Sequence, residues 1–271
     1  MSTVTNLSVK IGIGFGHCAL LYVGGIFNRS EFFTVGEALT QALKSEECAT
    51  AGGQIIVSQN AWSHVQQFFK SVEIVDDHHK KFYRITDLVH GIRTRADAVL
   101  LRNNLDSDAY ARIQSKLRSC VPAAIMPYLE IGYEQFGSET RRLTVMFASL
   151  GVDLSSAQTA SGMAKIQKIV TTVQQQVYRL EGSLNKLVMD DKGSTLICIW
   201  GLCPFAHEDD AARAILTAIN MRRELLKIEG TWCNVGISTG EVFSGVVGTS
   251  GSRKEFSVLG DYVNLAARIM Y

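Results

Sequence analysis

The sequence lacks three features, each of which would have pointed to a class of partner. There is no block of five or six like charges and the formal net charge is only +1, so nothing marks a surface for nucleic acid or an anionic membrane. No C-x-x-C pair and no Cys/His cluster at zinc spacing occurs among Cys18, Cys48, Cys120, Cys198, Cys203 and Cys233. That pattern reads as reduced thiols in a cytoplasmic setting. There is also no long apolar run: the stretch from Leu196 to Phe205 is interrupted by Gly201 and Pro204 and is about half the length needed to cross a bilayer. No transmembrane segment is expected, and the polar lead from Ser2 to Ser8 is not a secretory signal. What is present is 271 residues, 46% hydrophobic and 20% charged, the balance of a folded globular protein of one large or two ordinary domains.

An internal repeat organises the chain. The stretch from Val9, VKIGIGFGHCALLYVGGIFNRSEFFTVGEALTQALK, matches that from Cys233, CNVGISTGEVFSGVVGTSGSRKEFSVLGDYVNLAAR, without a gap. Gly12 pairs with Gly236, Gly16 with Gly240, Gly24 with Gly248, Arg29 with Arg253, Glu31 with Glu255, Phe32 with Phe256 and Gly36 with Gly260, each pair 224 residues apart. The period is too long for a solenoid, so the unit is a whole domain. The first copy is expected to be truncated at its start and the second at its end. This predicts residues 1–100 as the C-terminal part of one domain, 101–139 as a structured linker broken at Pro122, and 140–271 as a second domain.

Apolar periodicity predicts α+β units. In the first copy, strands are expected over Val9–Phe15, Cys18–Gly24 and Phe32–Val35, then a helix to about Ser45. The second copy reads as a strand at Leu143–Leu150, a helix at Met163–Leu180, a hairpin of Leu184–Met189 with Ser194–Trp200 turning at Asp190–Gly193, and a helix at Asp209–Ile228. Strands at Cys233–Ser238, Val242–Val247 and Glu255–Leu259 and a helix from Asp261 complete it. The run Gly12, Gly14, Gly16 superficially resembles a phosphate loop, but strand-like sequence follows it where a helix N-terminus would be needed, so the glycines read as hairpin residues.

The segment EFSVLGDYVNLAARI from Glu255 resembles the signature of class III adenylyl and guanylyl cyclases, and LEGSLNKLVMDDKGSTLICIWG from Leu180 resembles the hairpin whose lysine reads adenine in that family. GTWCNVGISTGEVFSGVVG from Gly230 is similar to the strand pair before the signature, and VSQNAW from Val57 extends the likeness to soluble adenylyl cyclases over nearly the whole chain. The resemblance implies ferredoxin-like cyclase domains, with an antiparallel-rich sheet and helices packed on it, in tandem with the first copy truncated. It also implies intramolecular pairing of the two domains around ATP.

In this family the ribose 3'-oxygen of ATP attacks its own α-phosphorus, forming cyclic AMP and expelling pyrophosphate. By resemblance, Arg268 stabilises charge on the phosphorus oxygens and Asn264 orients the ribose. Lys186 bonds the adenine ring, with Ser257 and the backbone of Val258 completing the base pocket. Guanylyl cyclases carry an acid and a cysteine at the positions of Lys186 and Ser257. Two Mg2+ or Mn2+ ions are expected, held by aspartates of a part of the first domain that this sequence does not contain. In the second copy the first metal position falls at Ser149, which brings no carboxylate, and Asp190 falls near the second. Thr40 and Lys44 stand where Asn264 and Arg268 stand in the second copy, so the first copy is expected to lack the catalytic helix. Leu43 or Lys44 and Met189 occupy the surroundings of the family's bicarbonate site, so a bicarbonate response is not expected. On this reading the whole protein is an adenylate cyclase and this stretch alone is inactive. Two alternatives stay open: a non-catalytic regulatory or dimerisation module, and a guanylate cyclase. Without the motif, Arg268 would read as a solvated helix residue and Lys186 as protection of a strand edge.

Overall fold

The computed structural model describes residues 8–91, 106–130, 138–152, 157, 159–190, 193–248 and 254–271. Asp191, Lys192, Arg253 and the linker stretches 101–105 and 131–137 lie outside the described residues. The chain divides into two compact bodies, one of Met1–Leu20 with Thr34–Asn104 and one of Leu21–Phe33 with Leu105–Tyr271.

The elements run β1 (Ile11–Ile13), β2 (Cys18–Gly24), β3 (Ser30–Gly36), α1 (Glu37–Glu47), β4 (Ile55–Ser58), α2 (Gln59–Val65), β5 (Phe69–Val75) and β6 (Lys81–Leu88). In the first body β1, β4, β6 and β5 form a sheet in that order, with β1 parallel to β4 and the other pairs antiparallel. Ser58 starts α2, its hydroxyl accepting from the Ala61 N–H at 3.2 Å. Gly12 and Gly14 are not hairpin residues. A Cβ on either would strike the backbone of α1 at Ala42 or Ala38, so the glycines exist to let the helix lie directly on the strand.

The second body continues with α3 (Ser107–Ser119), α4 (Met126–Glu130), β7 (Glu139–Ser149), α5 (Ala160–Arg179), β8 (Ser183–Asp190), β9 (Gly193–Trp200), α6 (Asp210–Leu225), β10 (Asn234–Gly248), β11 (Lys254–Leu259) and α7 (Asp261–Met270). Its sheet has the order β11-β10-β7-β9-β8, antiparallel throughout. Leu143, Val145, Ile199, Val242, Val258 and Ala266 form one buried cluster between sheet and helices. Thr159 caps α5 by accepting from the Gly162 N–H at 3.1 Å, and the Trp200 indole donates to the Leu180 carbonyl at 3.0 Å beyond its other end.

The two strands expected over Cys233–Ser238 and Val242–Val247 are one. β10 runs 15 residues without a break, because β7 pairs with it in unbroken register from Asn234 opposite Ser149 to Ser244 opposite Glu139. Gly236, Ser238 and Gly240 share one face at the strand period of two, and α7 lies on that face. A Cβ at Gly236 would collide with the Ala266 carbonyl and one at Gly240 with the Tyr262 ring, and the Ser238 hydroxyl donates to the Tyr262 carbonyl.

The tip of the β2–β3 hairpin belongs to the second body and is held by two glutamines of α5. Gln167 accepts from the Gly24 N–H at 2.9 Å and donates to its carbonyl at 2.7 Å. Gln174 accepts from the Ile26 N–H at 3.2 Å and donates to the Arg29 carbonyl at 2.9 Å. Below the tip Arg29 and Glu31 approach to 2.7 Å, each side chain 7% exposed. Burial pushes the Glu31 carboxyl up from 4.5 to about 7, and the Arg29 guanidinium only partly offsets it.

Two outcomes follow from this packing. Gly236→Ala forces a methyl into the α7 backbone and should lower stability by about 1–3 kcal/mol in urea titration. Glu31 binds its proton more tightly folded than unfolded, so it favours the fold fully below about 4.5 and loses that contribution as pH rises through about 7. Glu31→Gln should therefore flatten the fall of melting temperature with pH across that window; an unchanged slope would contradict the assigned cause.

Candidate functional site

α7 is amphipathic. Val263, Ala266 and Met270 face the core while Asn264 and Arg268, one turn apart on the other side, are exposed. Because α7 lies against β10 through Gly236 and Gly240, the sheet rather than side-chain contacts fixes the height and rotation of both polar residues.

Lys186 arrives from β8. Leu184 pairs with Cys198 and Lys186 with Ile197, so Asn185 is the extra residue of a β-bulge, a device that re-aims the side chain after it. The Lys186 ammonium meets the Glu255 carboxylate of β11 at 2.5 Å, with side-chain exposures of 43% and 31%. β8 and β11 are the two edges of a five-stranded order, which in a flat sheet would stand about 19 Å apart. The ion pair therefore requires the sheet to curl until its edges approach.

Ser257 follows Glu255 by two residues and so shares its face of β11. Val258 points the other way, 5% exposed in the core. β11 is an edge strand paired only with β10, so alternate residues direct backbone N–H and C=O away from the sheet. Asn185, Lys186, Leu187, Glu255 and Phe256 line a cleft of about 370 Å3 with residues around α4. The Asn185 Oδ1 is buried there without a partner among the described residues. Asn264 and Arg268 are not among the residues lining this cleft. The structure thus pairs Lys186 with Glu255, whose face of β11 Ser257 shares although it does not line the cleft, and sets Asn264 and Arg268 together on an exposed face of α7.

Glu255 and the Asn185 bulge were not singled out from sequence as parts of a site. The first was visible as a member of the repeat, matched to Glu31; the bulge leaves no compositional trace.

No group of three His, Cys, Asp or Glu side chains converges among the described residues. Ser149, the second copy's counterpart of the first metal position, is a buried hydroxyl on β7, and the side chain of Asp190 lies outside the described residues. In the first body, Thr40 is exposed and returns its hydroxyl to the Gly36 carbonyl at 3.2 Å, and Lys44 is half-buried.

Residues 137–270 match the profile of the adenylate and guanylate cyclase catalytic domain. The chain is 26% identical to adenylate cyclase type 10 of Homo sapiens and 25% identical to that of Oryctolagus cuniculus, in both cases over 98% of this chain and 17% of the relative. It spans about a sixth of the length of these relatives. A bacterial light-regulated adenylyl cyclase shares the fold, with a TM-score of 0.50 and 13% identity over 79% of this chain and 76% of that one. Among the described residues no helix is long and apolar enough to cross a membrane.

Lys186 and Glu255 are both partly exposed, so their attraction is screened and contributes little to folding. Lys186→Met should leave stability in urea within about 1 kcal/mol of the parent; a larger loss would make the lysine a structural residue.

Proposed function

We propose, from the match of residues 137–270 to the adenylate and guanylate cyclase catalytic domain, that this chain carries one half-site of an adenylate cyclase, the half that reads the base and steadies the triphosphate. The observation that carries the choice of ATP is Lys186, aimed by its bulge and held by Glu255 on the same side as Ser257. A lysine offers only donors. It matches the ring nitrogen N1 of adenine, an acceptor, and opposes N1 of guanine, which bears a hydrogen. Ser257 can accept from the adenine amino group, and the outward backbone of β11 at Val258 adds a further contact.

Asn264 and Arg268 take the other end of the nucleotide. Asn264 holds the ribose so that its 3'-oxygen lies in line with the α-phosphorus, and Arg268 binds the phosphoryl oxygens as negative charge gathers on them. The P–O bond to the 3'-oxygen forms as the bond to the pyrophosphate oxygen breaks, and the 3'-hydroxyl proton leaves to solvent. Residues 1–100 are read as part of the first cyclase domain and 140–271 as most of the second, paired within one longer chain. Mg2+ or Mn2+ is assigned to acids of that first domain, as no converging group of three His, Cys, Asp or Glu side chains lies among the described residues of this chain. Alone, this stretch is expected to turn over no ATP.

The test is cyclic AMP formation after mixing this chain with the first domain of a related soluble cyclase. Arg268→Ala should lower kcat by about 10²–10³-fold with little change in KM. Lys186→Glu combined with Ser257→Cys should move preference from ATP towards GTP. A folded, associated pair with no activity would favour the non-catalytic module, and a parent that prefers GTP would overturn the assignments of Lys186 and Ser257.

A further inference from the structure

A second cavity in the body of Leu21–Phe33 and Leu105–Tyr271, of about 300 Å3, is walled by Phe27, Arg29, Ala124, Tyr178, Leu184 and Leu202 among others. None of the residues assigned to the nucleotide lines it. Its walls are mostly carbon, and one cation stands among them. The Arg29 side chain is only 7% exposed. Its NH1 donates to the Ser30 and Ser119 carbonyls at 2.8 and 3.2 Å, and NH2 faces Glu31 at 2.7 Å. Its Nε–H has no aligned acceptor among the described residues, although the Tyr178 hydroxyl lies within hydrogen-bonding range of the guanidinium, and the Glu31 Oε1 lacks an aligned hydrogen bond despite the short distance. A buried guanidinium that leaves a donor unmatched beside an apolar space is an incomplete arrangement.

The surroundings supply the rest of a binding site. Phe27 is held with φ 50 and ψ 37, left-handed backbone that is rare for a bulky residue, with its ring 6.0 Å from that of Tyr178. Tyr178 feels the charge of Arg29, and burial raises its pKa and keeps the phenol neutral, so its hydroxyl remains a donor. Glu181, at the rim, is engaged by Arg213 at 2.8 Å and His207 at 3.0 Å.

We propose that this cavity binds a small monocarboxylate with an apolar, ring-sized body, the carboxylate completing the donors of Arg29 and the body lying between Phe27, Leu184 and Leu202. Glu31 is the internal competitor. Burial favours its protonated form, which leaves the guanidinium charge to the ligand; ionised, it takes the charge back. The other titratable groups bearing on the pair are Tyr178 from α5 and Cys198 from β9, and burial keeps both neutral. Arg29 and Glu31 also border the cleft of Lys186 and Glu255, where those two are paired with each other.

The experiment is a fluorine NMR titration of the full chain with 4-fluorobenzoate, with benzoate and the uncharged benzamide as competitors. Saturable binding is expected, displaced by benzoate and not by benzamide, and about tenfold tighter near pH 6 than near pH 8 as Glu31 gives up its proton. Glu31→Gln should bind near pH 8 as tightly as the parent does near pH 6. Ser183→Trp fills the cavity wall with Arg29 intact and should abolish binding while circular dichroism stays unchanged. No saturation, equal competition by benzamide, or full binding by folded Ser183→Trp would each overturn the proposal. So would a pH dependence that survives Glu31→Gln.

Discussion

The contact on which the second body depends is the bare backbone-to-backbone approach of α7 to β10. Gly236 leaves no side chain between the strand and the Ala266 carbonyl, Ser238 bonds the Tyr262 carbonyl, and Gly240 accepts the Tyr262 ring. A helix seated on backbone has less freedom to slide or roll than one floating on long side chains, because hard-sphere contact is steep where side-chain packing is compliant. Asn264 and Arg268 inherit that rigidity, which the roles proposed for them at the ribose and phosphates would require. The same seat recurs in the first body. There Gly12 stands under Ala42 and Glu46 as Gly236 stands under Ala266 and Met270, with Thr40 and Lys44 at the helix positions that hold Asn264 and Arg268 in the second. One backbone seat thus carries two different sets of exposed side chains.

Elements with a strong period were legible in the sequence. α5 and α6 fall within a few residues of their expected limits, as do β8 and β9, the helices because one face is buried and the other more exposed, the strands because apolar runs flank a tight turn. Interruptions were less legible. Gly12, Gly14 and Gly16 read as turn residues because glycine is common in turns; whether it bends a chain or admits a neighbour depends on a helix that arrives about thirty residues later. β10 read as two strands for the related reason that Thr239 and Gly240 resemble a turn locally, whereas the long partner β7 keeps them extended. At the site, Lys186, Ser257, Asn264 and Arg268 were reached through motif resemblance. Their arrangement depends on the curl of the sheet and the bulge at Asn185, neither of which has a sequence period.

The two acid–base pairs of the second body differ in surroundings, and the difference matches what each can do. Lys186 and Glu255 sit in partial contact with water, where breaking a pair costs little because solvent takes up the charges. Such a lysine can leave its carboxylate for another acceptor at small expense. Arg29 and Glu31 are removed from water, where losing a partner is far more costly. Burial raises the Glu31 pKa to about 7, so below that pH the acid carries a proton and leaves the arginine under-compensated beside an apolar space. Glu31 and Glu255 are matched positions of the repeat, yet burial raises the pKa of the first while the second faces a lysine at the mouth of a cleft. Residue identity at a repeated position therefore does not fix its chemistry; desolvation, set by which neighbours the hairpin tip finds on α5, decides whether the acid serves as a fixed counter-charge or as a proton carrier.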